Sequence, residues 1–251
     1  MGVRSKEDVA RFTTLARKMY FSSETVDDFL ARANAAQVRC ACDLIERELG
    51  IRERNKRQRL FRKASFPQIK SFDGYDFSQV VFPQGYSPDD LMSLAFLDTA
   101  QDFVFYGQTG RGKTHLAIAV GNACVKSGKM VRFFTTADLV LMLTKANREH
   151  ALETMLKDVG RADLIILDEF GYVPLDIEGA RLLFQVISDC YEKRSLIITT
   201  NIEFSKWGTI FGDDKLAAAT IDRIVHHGRL VEFNGTSKRM DRALMLGNAQ
   251  S

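Results

Sequence analysis

Apolar residues at Val26, Phe29, Leu30, Ala33, Ala36, Val38, Ala41, Leu44, Ile45 and Leu49 recur close to every 3.6 positions, the period of an amphipathic helix. Ser23 and the acidic residues behind it supply the signal for its start. The same polar, helical character extends over residues 6–62, which hold no proline and only one glycine, Gly50, and helix is predicted to about Ala64. From Asp102 onward the pattern changes. Short apolar runs at 103–106, 131–135, 164–167, 196–199 and 230–233 read as buried strands. Helical stretches at 113–127, 137–159, 178–193 and 213–227 lie between them, two of them stopped by Gly128 and Gly228. Strands alternating with helices predict an α/β fold, a five-stranded and mainly parallel sheet covered on both faces.

Residues 66–88, "FPQIKSFDGYDFSQVVFPQGYSP", join the two patterns and collect three of the four prolines, two glycines and six aromatic residues. A flexible tether would carry few aromatics, so this segment is expected to pack on a neighbouring domain. A helix is predicted to follow over 88–100. The resulting organisation is a small all-helical N-terminal domain (1–65), an aromatic linker (66–88) and a larger α/β domain (89–251).

Composition narrows the class. A chain of 251 residues with 45% hydrophobic and 27% charged residues suits a globular protein with a substantial core. Its net charge of +3 is unremarkable, but residues 52–63, "RERNKRQRLFRK", carry seven basic residues against one glutamate. Cys40, Cys42, Cys124 and Cys190 form no CxxC pair, which favours reduced thiols over a zinc knuckle. The N-terminal "MGVRSKEDVARFTTL" lacks the apolar core of a secretory signal, and no apolar run approaches bilayer length. A cytoplasmic location without membrane partners is expected.

The strand at 103–106 breaks into Gly107-Gln108-Thr109-Gly110-Arg111-Gly112-Lys113-Thr114-His115, which fits G-x-x-x-x-G-K-[ST] with an additional glycine. Wrapping a phosphate chain with backbone N–H groups needs residues that accept positive φ and lack a Cβ. The following helix adds its N-terminal dipole. Lys113 suits the β and γ oxygens of a nucleoside triphosphate, and the Thr114 hydroxyl suits Mg2+. "LIILDEF" then delivers Asp168 and Glu169 to the end of a buried strand, where ligands of parallel sheets bind. Asp168 is the candidate metal residue and Glu169 the general base for an attacking water. "SLIITTN" ends in Asn201, whose amide can position that water or can instead form a turn. Arg223, late in the helix at 213–227, either stabilises phosphoryl charge across a subunit interface or pairs with Asp222 or Asp213. Arg239 and Arg242 follow the last strand, within reach of phosphates or in a solvated basic tail. His226 and His227 invite a metal reading, but adjacent helical residues point apart, and both suit the negative end of the helix dipole.

Arg52, Arg54, Lys56, Arg57, Arg59, Arg62 and Lys63 form a cationic stripe that phosphates would attract with a steep salt dependence. Few aromatics interleave with them, so sequence-tolerant contact with the backbone of duplex DNA is expected; a solvated helix face is the other use.

Beyond the generic loop, "GRGKTHLAIAVGNACVKSGKMVRFFTTADLV", "DEFGYVPLD", "LLFQVIS", "FSKWGTIFGDDKLAAATIDRIVHH" and "NGTSKR" resemble the IstB-like transposition helper ATPases, a branch of the AAA+ P-loop NTPases. The resemblance extends to the helical front end and to "RKASFPQIKSFDGYDF". It implies ATP and Mg2+ as cofactors and a homo-oligomer whose ATP sites are completed across subunits. It further implies double-stranded DNA and a cognate transposase as partners. It assigns Asn201 as first sensor, Arg223 as interface arginine and Arg239 as a second sensor. The loop departs from the family in Gln108-Thr109, where proline is common, and in Arg111, where a small hydroxyl is usual. Lys238 stands where tyrosine is usual. A replicative helicase loader of the DnaC type shares the same ATPase core and is the alternative.

Overall fold

A computed structural model describes residues 5–237. The chain divides between Arg59 and Leu60 into two compact units. The first holds three helices, α1 (Lys6–Lys18), α2 (Ser23–Arg32) and most of α3 (Ala35–Ala64). The single helix expected through residue 34 is broken there. Ala33 is extended, and Asn34 and Gln37 cap each other reciprocally, each side-chain oxygen accepting the other's backbone N–H at 2.8 and 3.0 Å. The break lets α2 fold back on α1, with Phe12 against Phe29 at 4.7 Å and Leu15, Val26, Val38, Cys42 and Ile45 buried around them.

The second unit is the α/β body. Its sheet has six strands in the order β1-β6-β2-β5-β4-β3, formed by β1 (Val80–Val81), β2 (Asp102–Tyr106), β3 (Val131–Thr135), β4 (Leu164–Phe170), β5 (Ser195–Thr200) and β6 (Gly228–Phe233). The last five are the predicted strands and pair in parallel. The linker supplies the sixth, β1, antiparallel on the edge of β6. Around the sheet lie α4 (Pro88–Ser93), α5 (Lys113–Lys126), α6 (Thr136–Arg148), α7 (Leu152–Val159), α8 (Ile177–Cys190), α9 (Trp207–Phe211) and α10 (Asp214–His227). The helix expected over 137–159 is two, because His150 turns left-handed at φ 57° between α6 and α7.

Both faces of the sheet are covered. On one, α6, α8, α9 and α10 pack over Ile165, Leu167, Phe170 and Ile198, with Trp207 buried 4.4 Å from Phe170. On the other, α5 shares its core with the linker aromatics Phe66, Phe72, Tyr75, Phe77, Phe82 and Tyr86. Leu60, Phe61 and Ala64 pack there too. The linker aromatics are partly buried and pack against this core.

One buried acid sets a pH dependence. Asp102 accepts the Leu196 N–H at 2.7 Å. Burial raises its pKa from 3.8 to about 7, against smaller opposing effects of that N–H and of His227. The folded chain therefore holds this proton more tightly than the unfolded one. The stability Asp102 contributes is full below the unfolded value and declines as pH rises through about 7. Asp102→Asn retains an acceptor for Leu196 and should flatten that decline; a variant whose Tm falls between pH 5 and 8 as steeply as the parent's would exclude the assignment.

Candidate functional site

β2 sits between β5 and β6, whereas the next strand in the chain, β3, lies at the far edge of the sheet. Such a reversal opens a crevice at the C-terminal strand ends. A cleft of about 820 Å3 lies there, lined by Tyr75, Thr109, Gly110, Gly112, Lys113, Thr114, His115, Glu169, Tyr172 and Thr199 together with Pro67, Lys70 and Asp76.

The glycine loop forms one wall. Gly107 donates its N–H to the Thr200 carbonyl at 3.2 Å, and a Cβ at this position would lie 2.4 Å from the Phe233 carbonyl oxygen. No other residue fits so close an approach. Gly112 turns the chain into α5 at φ 95°, and no side chain among the described residues caps that helix. Its positive dipole end therefore faces the cleft. Lys113 is buried, and its Nζ donates to the Gly107 and Gln108 carbonyls at 2.6 and 2.9 Å.

The opposite wall is shaped by a strand irregularity. Leu167 pairs with Ile198 and Phe170 with Thr200, so Asp168 and Glu169 together oppose Thr199 alone. A bulge of this kind bends the strand and re-aims its side chains. Glu169 takes φ 56°, donates its N–H to Thr199 Oγ1 at 3.1 Å, and is one of the residues lining the cleft. A non-glycine residue held in that region is costly and marks a place where position matters. Asp168 stays buried and accepts two hydroxyls at Oδ1, from Thr114 at 2.8 Å and Thr199 at 2.5 Å. Thr136 Oγ1 donates to the Asp168 carbonyl at 3.0 Å and fixes the backbone beneath. Two hydroxyls on one carboxylate make a hard-oxygen donor set of the kind Mg2+ takes.

The linker closes the third side. Asn122 Nδ2 anchors it through the Lys70 carbonyl at 2.8 Å, and Tyr75 Oη donates to the Gly112 carbonyl at 3.3 Å. Burial pushes the Tyr75 phenol well above its usual range, so it remains a neutral donor. His115 lies 5.1 Å from the Tyr75 ring, with Nε2 3.4 Å from the Ser71 carbonyl. At the mouth, the Thr109 and Tyr172 hydroxyls meet at 3.0 Å.

Not every expected residue converges here. Gln108 is exposed, and the Arg111 side chain leaves the cleft to donate to the Phe233 carbonyl at 3.0 Å. Asn201 follows β5 with Oδ1 buried and without a hydrogen-bond partner among the described residues. Arg223 does not line the cleft. Its Nη1 donates to the Ala219 carbonyl at 2.9 Å, and its guanidinium lies 4.7 Å from the Phe184 ring centre. Arg239 and Arg242 lie outside the described residues. Arg52, Arg54, Lys56, Arg57, Arg59, Arg62 and Lys63 are all exposed on α3, and only Arg52 has an acidic partner among the described residues, Glu48 at 2.7 Å. No helix among the described residues is long and apolar enough to cross a membrane.

The strand order, the glycine loop leading into α5 and the acidic end of β4 define an α/β AAA+ P-loop fold. The solved DnaC helicase loader has this fold, with a TM-score of 0.53 at 23% identity, covering 65% of this chain and 96% of that one. So does DnaA from Aquifex aeolicus bound to AMPPCP, with a TM-score of 0.54 at 17% identity, covering 70% and 54%. Residues 24–245 match the IstB-like ATP binding proteins, and the chain belongs to that family. A relative from Bacillus thuringiensis subsp. berliner, described as an ATP-binding protein of insertion sequence IS232, is 39% identical over 215 residues, 86% of each chain. One from Pseudomonas aeruginosa, described likewise for insertion sequence IS21, is 36% identical over 202 residues, 79% of this chain and 75% of that one.

Proposed function

We propose that this protein is an ATP-dependent, DNA-binding transposition helper, which assembles as a homo-oligomer on duplex target DNA, deforms it, and recruits or stimulates a partner transposase. The observation that carries the reading is the meeting of Thr114, Thr199 and Asp168 beside the lysine-filled glycine loop, in a family with insertion-sequence relatives. The likeness to a helicase loader rests on fold alone, so the helper reading is favoured over the loader.

In this reading the backbone N–H groups of residues 107–114 and the Lys113 ammonium would hold the triphosphate, Lys113 exchanging the Gly107 and Gln108 carbonyls for phosphate oxygens. Thr114 and Asp168 would hold Mg2+, which when bound neutralises charge on the transferred phosphoryl group. Glu169 takes the proton of the attacking water, and the Asn201 amide orients that water. Arg223 of an adjacent copy stabilises the charge developing on the terminal phosphate, a task suited to a planar guanidinium. ATP binding then loads subunits onto DNA, and hydrolysis releases or remodels the assembly.

The exposed cations of α3 supply the DNA contact. Filter binding in a salt series tests this: replacing Arg54, Arg57 and Arg59 with alanine should weaken duplex binding and reduce the log–log salt slope by roughly 0.9 for each phosphate no longer neutralised. Unchanged affinity in that triple variant would remove the stripe from the interface.

A further inference from the structure

Away from the cleft, the last turn of α10 meets the turn between α8 and β5. Adjacent helical residues ordinarily diverge, yet His226 and His227 lie with ring centres 4.6 Å apart. Glu192 reaches them from the α8–β5 turn, and one ligand atom from each of the three residues falls within 4.8 Å of the others. We propose that Glu192, His226 and His227 form a surface site for a divalent transition ion, zinc by ligand type.

Four observations support it. His227 Nε2 and Glu192 Oε1 are 3.1 Å apart, close to the edge of a zinc tetrahedron, about 3.3 Å for bonds near 2.0 Å. Two imidazoles with a carboxylate make a donor set that suits zinc and disfavours Mg2+ or Ca2+. One imidazole nitrogen of His226 is held by the Tyr191 hydroxyl at 2.9 Å, the outer contact that orients a ligating histidine while the ring keeps its second nitrogen. The histidines occupy the C-terminal turn of α10, where the helix dipole favours a cation. Glu192 and His226 are exposed and His227 is half-buried, so a fourth position stays open to water.

An ion here ties the α8–β5 turn to the end of α10. Arg223 lies one helical turn before His227 on that helix, so the site braces the element that carries it. The inference is independent of the nucleotide reading, since none of its residues lines the cleft.

The test is calorimetric titration of the full chain with Zn2+ alone, in a Cys40→Ser background that removes the one exposed thiol among the described residues. One equivalent should bind and raise Tm, and the Co2+ form should give a nitrogen–oxygen spectrum without thiolate charge transfer. His226→Ala and the conservative Glu192→Gln should each weaken binding roughly tenfold or more and abolish the Zn2+-dependent rise in Tm, with circular dichroism unchanged. Absence of saturable binding, or equal affinity in His226→Ala, Glu192→Gln and the parent, would overturn the assignment.

Discussion

Lys113→Ala is expected to lose nucleotide binding and assembly together. The ammonium is buried and donates to two carbonyls of the loop it serves, those of Gly107 and Gln108. Removing it takes away the cation that, in the proposed site, would meet the phosphates. A hydrogen bond involving a charged group is worth about 1.5–3 kcal/mol, so removal of one such bond weakens binding on the order of 10- to 100-fold. Alanine at this position keeps the helix start, so the α/β body should remain folded. Calorimetric titration with a non-hydrolysable ATP analogue checks the first effect and sedimentation the second. Affinity within a factor of about two of the parent would mean that the loop holds something other than a triphosphate.

Glu169→Gln should do the reverse, keeping ATP bound while suppressing turnover. Glu169 lines the cleft from a left-handed backbone position that the Thr199 hydroxyl holds. Glutamine preserves shape and hydrogen bonding but takes no proton from water. Loss of a positioned general base lowers the rate by about 100- to 10,000-fold. The variant should accumulate as a DNA-bound assembly in ATP, detectable as a slowly dissociating complex in gel shift. Parent-like phosphate release would remove Glu169 as the base and return attention to the strand end as a structural feature.

Parts of this site are legible in the sequence for a physical reason. The glycine loop is contiguous: five requirements (no Cβ, positive φ, a cation, a hydroxyl, a helix start) fall within eight residues, so one short stretch displays them all. Strands β2, β4 and β5 are legible because burial on both faces leaves near-continuous apolar runs, whereas in β6 only Val231 and Phe233 are buried. The bulge at Asp168 and Glu169 is hidden, because it depends on the register between β4 and β5, which local pattern does not encode. Thr199, beside the more conspicuous Asn201, gives no local sign of its role for the same reason. Only the fold places its hydroxyl 2.5 Å from Asp168, while Asn201 Oδ1 is left buried without a partner among the described residues. Tyr75 is visible as one aromatic among several, yet nothing local marks it as the one that reaches the Gly112 carbonyl. Tyr172 follows the acidic pair in "DEFGY", and its contact with Thr109 spans two distant segments. The approach of Glu192 to His226 and His227 depends in the same way on how α8 and α10 pack.

Arg223 is the residue on which the proposed assembly turns. In the single chain it stacks on Phe184 and bonds its own helix, away from the cleft. In the proposed assembly the terminal phosphate held by one copy is read by Arg223 of the next. Mixing Arg223→Ala subunits with Lys113→Ala subunits on duplex DNA tests it directly. Each variant alone should hydrolyse ATP negligibly, and the mixture should recover turnover, greatest near equal proportions, because an intact loop then meets an intact arginine. A mixture that does no better than the sum of its parts would mean that Arg223 does not act across subunits.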